Sequence, residues 1–271
     1  FTITGRNNCW RRRRRVPSRV PSRSGGSRCI IEIPQRLIPT SVRFAHILIC
    51  LKMAIKVGII GAGGVGKTLG QVLAKKHSIL FGVRDTAKYA DLAKAWNTSV
   101  LTVSEAVKSS DVVILAVPGA HDDAGIREIA SNLGPDIKGK VLVDATNPVT
   151  PYPSLEVRWT GKSAGEVLSE VLPDTAVYKA FNTIGANQME HADGSGITGE
   201  QLTMMFAGGP DHKGLVEEVI ADTGFKPVYV GPIRYARNLE ALAELWIHLG
   251  VPGVGTAEKW GRDFHFQVIR K

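Results

Sequence analysis

The chain has 271 residues, of which 44% are hydrophobic, so it is long enough to bury the core of one large or two small globular domains. Its formal net charge of +9 comes from residues 1–52, which hold eleven Arg, one Lys and one Glu, whereas residues 53–271 hold 22 basic and 24 acidic residues. This balance argues against a nucleic-acid-binding body, and no apolar run approaches the ~20 residues that span a bilayer.

Residues 1–52 are rich in Arg and poor in acids, and they contain the run RRRRR at positions 11–15. Such a leader resembles an organelle transit peptide, which would place the protein in a chloroplast or mitochondrion. The alternative, which we favour, is that this segment is not native sequence and that a cytoplasmic chain starts at Met53. In both cases we expect disorder over residues 1–52 and leave them out of the fold.

From Met53 onward, apolar runs alternate with segments of helical periodicity, as in parallel strands joined by helices. Predicted strands lie at 55–60, 79–83, near 100, and at 111–119, 141–148 (with an exit loop), 176–182, 202–207 and 227–230. Predicted helices lie at 67–76, 86–96, after 104, and at 124–133, 163–172, 212–223 and 236–250. Asp85 and Ser104 are candidate N-caps. The sequence thus predicts an α/β fold, a doubly wound Rossmann-type parallel sheet with a small C-terminal α/β extension.

The extension is predicted to end in the clearest amphipathic helix of the chain, Ala236–Gly250. Its apolar residues recur at helical spacing, namely Leu239, Leu242, Leu245, Trp246 and Leu249. The simplest interpretation of this stripe is core packing or a homodimer interface. The alternative is that Trp246 and Leu242 form one wall of a pocket for a flat, aromatic substrate.

A glycine-rich turn, GIIGAGGVGKTLG at 58–70, carries two nucleotide-binding motifs at once. Gly61, Gly63 and Gly66 form the G-x-G-x-x-G of dinucleotide-binding folds. Gly61 and Gly66 with Lys67 and Thr68 also form the G-x-x-x-x-G-K-[ST] of P-loop nucleotidases. The run VLVDA at 141–145 even resembles a Walker B strand, whose Asp helps to hold magnesium.

The end of the second strand favours the dinucleotide interpretation. About 20 residues after the turn, an NAD enzyme carries an acidic residue that binds the ribose hydroxyls. Here Arg84 occupies that strand end, where it can form a forked, charge-assisted pair with the 2′-phosphate of NADP. Lys88 can add a second positive charge, although Asp85 could bind ribose instead. We therefore predict an NADP(H) site, and a P-loop nucleotidase is the minor alternative.

Several motifs in order resemble one family, the 8-hydroxy-5-deazaflavin-dependent NADP oxidoreductases, whose NADP-binding domain is of the pyrroline-5-carboxylate-reductase type. They are IKVGIIGAGGVG, GVRD, VVILAVPG, LVDATNP, KAFNTIGA and RNLEALAELWI, spread over roughly 53–250. That family also resembles the cytosolic domain of six-transmembrane metalloreductases. The resemblance implies an NADP-binding Rossmann domain over 53–183 and an acceptor-side region over 184–271. The sequence departs from the family at Asn182, where a deazaflavin reductase has a His.

The resemblance also implies roles for residues that match the family's motifs. The turn would hold the pyrophosphate, Arg84 and Lys88 the 2′-phosphate, and the loops after the fourth and fifth strands the ribose and nicotinamide. These cofactor-binding candidates are Gly61, Ala62, Gly63, Gly64, Val65, Gly66, Arg84, Lys88, Val117, Pro118, Asn147 and Pro148. Asn182 and Thr183, after the sixth strand, would contact the substrate. The co-substrate would be a deazaflavin or flavin, or another small-molecule acceptor.

The body shows no predicted metal site or nucleophile. All three cysteines, Cys9, Cys29 and Cys50, lie in the leader, and the histidines lack ligand spacing. Hydride transfer between two flat partners depends on alignment more than on an acid or base. If the acceptor were an imine or ketone, His121 or Tyr178 would be the first candidate proton donors. A regulatory protein that binds NADPH without turnover is the alternative function.

Overall fold

The eight strands form a single sheet in the order β3-β2-β1-β4-β5-β6-β7-β8. The structure is a computed structural model and describes residues 54–96, 98–158, 161–195, 197, 199–254 and 260–270. The strands are β1 Lys56–Ile60, β2 Ser78–Val83, β3 Ser99–Thr102, β4 Val112–Leu115, β5 Val141–Asp144, β6 Ala176–Lys179, β7 Thr203–Gly208 and β8 Lys226–Gly231. The helices are α1 Gly64–Leu73, α2 Ala90–Trp96, α3 Val103–Ser109, α4 Asp123–Ser131, α5 Ala164–Val171, α6 Lys213–Asp222 and α7 Ala236–Gly250.

The first six strands are parallel and carry the expected Rossmann-type arrangement. Strands β1, β4 and β5 are buried on both faces, which explains why they are runs of Val, Ile and Leu. The strand order reverses between β1 and β4, so the loops leaving these two strands diverge and open a crevice at their carboxyl ends. That edge is where open α/β sheets bind ligands.

Two predicted helix starts are wrong. The Asp85 carboxylate accepts a hydrogen bond from the Lys88 backbone N–H at 3.1 Å, but it caps only a turn, and α2 begins later, at Ala90. Helix α3 is capped by Thr102 and not by Ser104. Thr102 and Glu105 form a reciprocal capping box, in which each side chain accepts a hydrogen bond from the other residue's backbone N–H.

The last two strands extend the sheet beyond β6, but β7 runs antiparallel to β6. The connection over residues 180–202 contains a 3-10 segment, Ala186–His191, in place of a crossover helix. Without a crossover, the chain re-enters the sheet from the edge at which β6 left it, which makes β7 antiparallel. β8 then pairs with β7 in parallel through α6. Strands on both sides of residue 183 share one sheet. The domain boundary expected at that residue stays a prediction.

Two apolar clusters cover the two faces of the sheet. One joins α1 and α6 to the sheet around Phe81 and Phe206, and the other joins α3, α4 and α5 around Leu115 and Leu142. The expectations for residues 1–52 lie outside the described residues. None of the described helices has the length and apolarity required to cross a membrane.

Candidate functional site

Two of the motif glycines are required by the packing of the turn after β1. Gly61 has a φ of +102°, and its N–H donates to the Gly82 carbonyl at 3.0 Å, which ties the turn to the end of β2. A Cβ at Gly61 would lie 2.6 Å from the Ala116 carbonyl oxygen, and a Cβ at Gly66 would lie 2.0 Å from the Gly61 carbonyl oxygen. Any side chain at either position would therefore disrupt the turn itself.

Gly63 differs, because nothing in the described protein requires a glycine there. Its backbone is extended, with φ −76° and ψ −169°, and an added Cβ would meet no atom within 4 Å. It precedes the first turn of α1, where no side chain caps the free N–H groups. Gly64 is also exposed, while Ala62 is buried. The open backbone at a helix N-terminus matches the cradle that a pyrophosphate needs.

The end of β2 presents a basic patch. Arg84 and Lys88 are exposed, and the Lys88 ammonium lies 5.6 Å from the centre of the Tyr89 ring. Lys67 of α1 lies 5.9 Å from the same ring, so the lysine of the P-loop-like motif joins this patch. Asp85 is occupied by the Lys88 backbone N–H. The patch therefore offers cations where a ribose phosphate would lie, with the adjacent carboxylate engaged by the backbone.

A cleft with a volume of about 380 Å³ lies between the loops that leave β4 and β5, bounded by α1 and α7. Of the predicted residues, it is lined by Val65, Val117, Pro118 and Asn147. The sequence had given no reason to include its other lining residues, Ala116, Gly119, Ala145, Thr146, Val149 and Ile247. Gly119 allows the two loops to approach each other, because a Cβ there would lie 2.1 Å from the Asn147 carbonyl oxygen.

Asn147 and Asn182 form a reciprocal amide pair at this edge of the sheet. The Asn147 amide donates to the Asn182 carbonyl, and the Asn182 amide donates to Asn147 Oδ1, both at 3.2 Å. The Asn182 amide also donates to the Leu239 carbonyl of α7 at 3.0 Å. Pro148 is buried beside the pair. Both predicted asparagines thus join the β5 loop, the β6 loop and α7.

Two polar atoms at this pair are buried without a hydrogen-bond partner among the described residues. They are Asn182 Oδ1 and the Thr183 hydroxyl, in residues that are 4% and 1% exposed. Phe181, directly before them, has a φ of +64°, a left-handed conformation that is uncommon for a bulky residue. Unpaired buried polar groups and backbone strain both cost folding energy and are concentrated at ligand sites.

Neither conditional proton donor lines the cleft. The Tyr178 hydroxyl donates to the Gly209 carbonyl at 2.7 Å and contacts the Asp211 carbonyl, on the face of the sheet that holds Phe206. Burial, with the nearby Tyr229 and acidic groups, raises the pKa of Tyr178 to about 12, which disfavours proton exchange near neutral pH. His121 is exposed before α4.

The alternative interpretation of α7, in which Trp246 and Leu242 form a wall of the substrate pocket, is wrong, because a different residue of the helix lines the cleft. Ile247 lines the cleft, whereas Trp246 packs inward, where its ring stacks on Phe264 at 5.4 Å and excludes a Cβ at Gly185. The Walker B comparison also fails on geometry. Asp144 is fully buried and pairs with Lys179 at 2.8 Å, so its carboxylate does not face the cleft.

Three comparisons bear on this arrangement. Residues 56–148, roughly one third of the chain, match the family described as NADP oxidoreductase, coenzyme F420-dependent. A glycerol-3-phosphate dehydrogenase [NAD(P)+] from Brachyspira hyodysenteriae is 32% identical over 134 residues, 44% of this chain and 37% of that protein. The chain thus spans little more than a third of the length of this curated relative.

Two solved structures share the fold. A protein from Arthrobacter sp. FB24, proposed to be an F420-dependent NADP reductase, has a TM-score of 0.64 and 24% identity, covering 80% of this chain and all of that one. An imine reductase from Aspergillus terreus, in complex with NADPH4 and dibenz[c,e]azepine, has a TM-score of 0.54 and 18% identity, covering 72% of this chain and 61% of that one. The expected Rossmann-type fold is confirmed, and residues 56–148 are similar to the NADP oxidoreductase family. The deazaflavin assignment stays a prediction.

Proposed function

We propose that the protein is an NADPH-dependent oxidoreductase that transfers hydride between NADP(H) and a second flat cofactor of the deazaflavin or flavin kind, or a small acceptor. The observation that carries the proposal is the pairing of two features at one edge of the sheet. Gly63 leaves an open backbone cradle at the N-terminus of α1, and the buried Asn182 and Thr183 side chains next to the cleft offer unpaired polar atoms. The family match over residues 56–148 supports NADP as the nucleotide.

Each end of the dinucleotide would have its own set of residues. The backbone of residues 61–66 would bind the pyrophosphate through free N–H groups, and Arg84 with Lys88 would bind the 2′-phosphate. Val117 and Pro118 would lie along the ribose. Asn147 with Pro148, and Asn182 with Thr183, would hold and orient the nicotinamide amide and its reaction partner.

The composition of the cleft supports a flat acceptor that needs no proton donor. None of the described residues that line it has a titratable side chain, and most are apolar. Bound NADPH would supply a hydride, that is, a proton with two electrons. Val65, Val117 and Ile247 would exclude water and hold two flat rings in contact, so that alignment provides the rate enhancement.

The decisive experiment is calorimetric titration of the protein with NADPH, with NADH and with ATP plus magnesium. Injection of buffer without nucleotide is the blank. We expect NADPH to bind far more tightly than NADH, with ATP binding weakly or not at all. A preference for ATP with magnesium would contradict the proposal and favour the P-loop alternative.

A panel of acceptors separates an enzyme from a regulatory NADPH-binding protein. NADPH oxidation is followed at 340 nm with deazaflavins, flavins, ferric chelates and imines. Turnover with a flat acceptor supports the proposal. Tight NADPH binding without oxidation by any acceptor would favour the regulatory function.

A further inference from the structure

Lys179 of β6 is fully buried and is held by three oxygens. Its Nζ lies 2.8 Å from Asp144 Oδ2, 3.1 Å from Glu240 Oε1 and 2.6 Å from the Thr146 carbonyl. Burial lowers the pKa of Lys179, but Asp144 and Glu240 outweigh this effect and raise the pKa above its ordinary value. Since an isolated ammonium is costly to bury, the two carboxylates are needed to keep it charged in this position.

Both carboxylates in this cluster also accept hydrogen bonds from backbone N–H groups. Asp144 Oδ1 accepts from the Thr146 backbone N–H at 2.9 Å. The Glu240 carboxylate accepts from the backbone N–H groups of Ala164 and Gly165, each at 3.1 Å, at the N-terminus of α5. The cluster of Lys179, Asp144 and Glu240 therefore combines one positive with two negative charges.

The helix N-terminus only partly offsets this excess. The first turn of a helix acts like roughly half a positive charge, and α5 supplies it to Glu240. A net negative charge remains, buried beneath the sheet edge. Because the site is shielded from water, this charge acts over a longer range than an exposed carboxylate would.

The cluster is joined to the cleft through Thr146. Lys179 holds the Thr146 carbonyl, and Thr146 lines the cleft directly before Asn147. Asn147 is paired with Asn182, whose amide donates to the Leu239 carbonyl next to Glu240. The contacts thus form a closed ring through β5, β6 and α7, and the buried charged groups are part of that ring.

From this arrangement, and resting on the proposed function, we infer that the Lys179–Asp144–Glu240 cluster favours the oxidised over the reduced nicotinamide. The oxidised ring carries a positive charge and the reduced ring does not, so a buried negative charge stabilises only the oxidised form. The effect makes bound NADPH a stronger hydride donor. The three residues are positioning residues, since they act through the loop and the field without lining the cleft.

The test compares the affinities of NADP⁺ and NADPH in wild-type protein and in Glu240→Gln, by calorimetry. The substitution keeps the shape of the side chain and removes one negative charge. We expect the ratio of the Kd of NADP⁺ to that of NADPH to rise roughly three- to tenfold, where tenfold corresponds to about 30 mV for a two-electron couple. Asp222→Asn is the control, since Asp222 is also a buried carboxylate that pairs with basic side chains, those of Lys76 and His77, but lies at the C-terminal end of α6, away from the cleft.

A double variant, Lys179→Met with Glu240→Gln, separates charge from packing. It removes one charge of each sign and leaves Asp144 with the original net charge, so we expect the ratio to return towards the wild-type value. Asp144→Asn provides an independent variant that should shift the ratio in the same direction as Glu240→Gln. If Glu240→Gln and Asp144→Asn bind both nucleotides with the wild-type ratio of the two Kd values, this inference is overturned while the proposed function stands. Failure of the wild-type protein to bind either nucleotide would instead overturn the proposed function.

Discussion

At the scale of single residues, the glycines of the β1–α1 turn separate into two kinds. Gly61 and Gly66 are fixed by contacts within the protein, since a Cβ at either would lie within 2.6 Å of a carbonyl oxygen. Gly63 faces open space in an ordinary extended conformation. A glycine that the fold does not need is best explained by a ligand that approaches its backbone closely.

Gly63→Ala tests this explanation. Because the added methyl group meets no protein atom, the melting temperature should stay within the range of neutral surface substitutions. The methyl group would occupy the pyrophosphate cradle, so the Kd for NADPH should rise roughly tenfold or more. Gly209→Ala is the control, since Gly209 also faces open space but lies after β7, at the opposite edge of the sheet. Equal NADPH affinities in both variants would show that Gly63 does not contact the cofactor.

We expect Arg84 to determine the preference between NADPH and NADH in the proposed site. A charge-assisted hydrogen bond is worth about 1.5–3 kcal/mol, so Arg84→Ala should reduce the ratio of NADPH to NADH affinity by roughly ten- to a hundredfold. The affinity for NADH should change little. Arg127→Ala, which removes an exposed arginine from α4, serves as the control. If the ratio is the same in wild-type protein and in Arg84→Ala, Arg84 has no role in selectivity.

The part of the site that could be predicted from the sequence is the part carried by local motifs. The glycine turn, Arg84, Pro118 and Asn147 each follow a strand at a characteristic spacing, and parallel strands bring such residues to one edge. The buried cluster could not be predicted in this way. Asp144, Lys179 and Glu240 lie far apart in sequence, and only the pairing of β5 with β6 and the packing of α7 bring them together.

At the scale of elements, the C-terminal segment at residues 260–270 holds α7 in place. The Trp246 indole N–H donates to the Phe264 carbonyl at 3.2 Å, and the two rings stack. Asp263 accepts from the Asn187 and Gln188 amides, in the 3-10 segment where Ala186 approaches Gly64 of α1. The segment therefore supports both α7, which lines the cleft through Ile247, and the neighbour of the glycine turn.

Phe264→Ala measures this support. Loss of a half-buried aromatic ring with its stacked partner should lower the free energy of unfolding by about 1–3 kcal/mol, measured by urea denaturation. Ile269→Ala, at a residue that is 83% exposed in the same segment, should change it by less than ~0.5 kcal/mol. Similar unfolding curves for both variants would mean that the segment does not anchor α7.

The positions of helix starts show what local sequence can and cannot indicate. The capping box of Thr102 with Glu105 was present as T-x-x-E in the sequence. The start of α3 could therefore have been predicted from these two residues. The late start of α2 was not, because Asp85 caps a turn with the same hydrogen bond that would cap a helix. The register of α7 depended on packing, since Trp246 and Ile247 are adjacent and only tertiary contacts decide which faces the cleft.

At the scale of the whole molecule, the sequence pattern indicated the strands and their succession but not the direction of β7. Parallel pairing needs a crossover that returns to the opposite edge, and no helical pattern was found between 182 and 202. The absence of that pattern was the available signal for an antiparallel strand. The result is one continuous sheet, and the C-terminal segment forms hydrogen bonds with Thr203 of β7 through Gln267 and Val268.

The contact between the C-terminal segment and β7 should make the stability of the protein depend on pH. His265 Nε2 donates to the Thr203 carbonyl of β7 at 2.7 Å, while Nδ1 is buried and has no hydrogen-bond partner in the described part of the chain. Burial lowers the pKa of His265, although the bond to Thr203 opposes this effect. The folded protein therefore binds fewer protons than the unfolded chain, whose His has a pKa of ~6.5. It follows that the contribution of His265 to stability is fully present above about pH 6.5 and is lost as the pH falls towards the lower, folded-state pKa.

Urea unfolding of the wild-type protein between pH 8 and pH 5 should thus show stability falling on the acid side, and His265→Gln should make that fall shallower. The glutamine amide can still donate to Thr203, but it does not titrate, so the change isolates protonation from the loss of a contact. His121→Gln alters an exposed histidine outside the core and should leave the slope as it is in the wild type. If His265→Gln and His121→Gln give the same dependence of unfolding free energy on pH, protonation of His265 does not cause the loss of stability at acid pH.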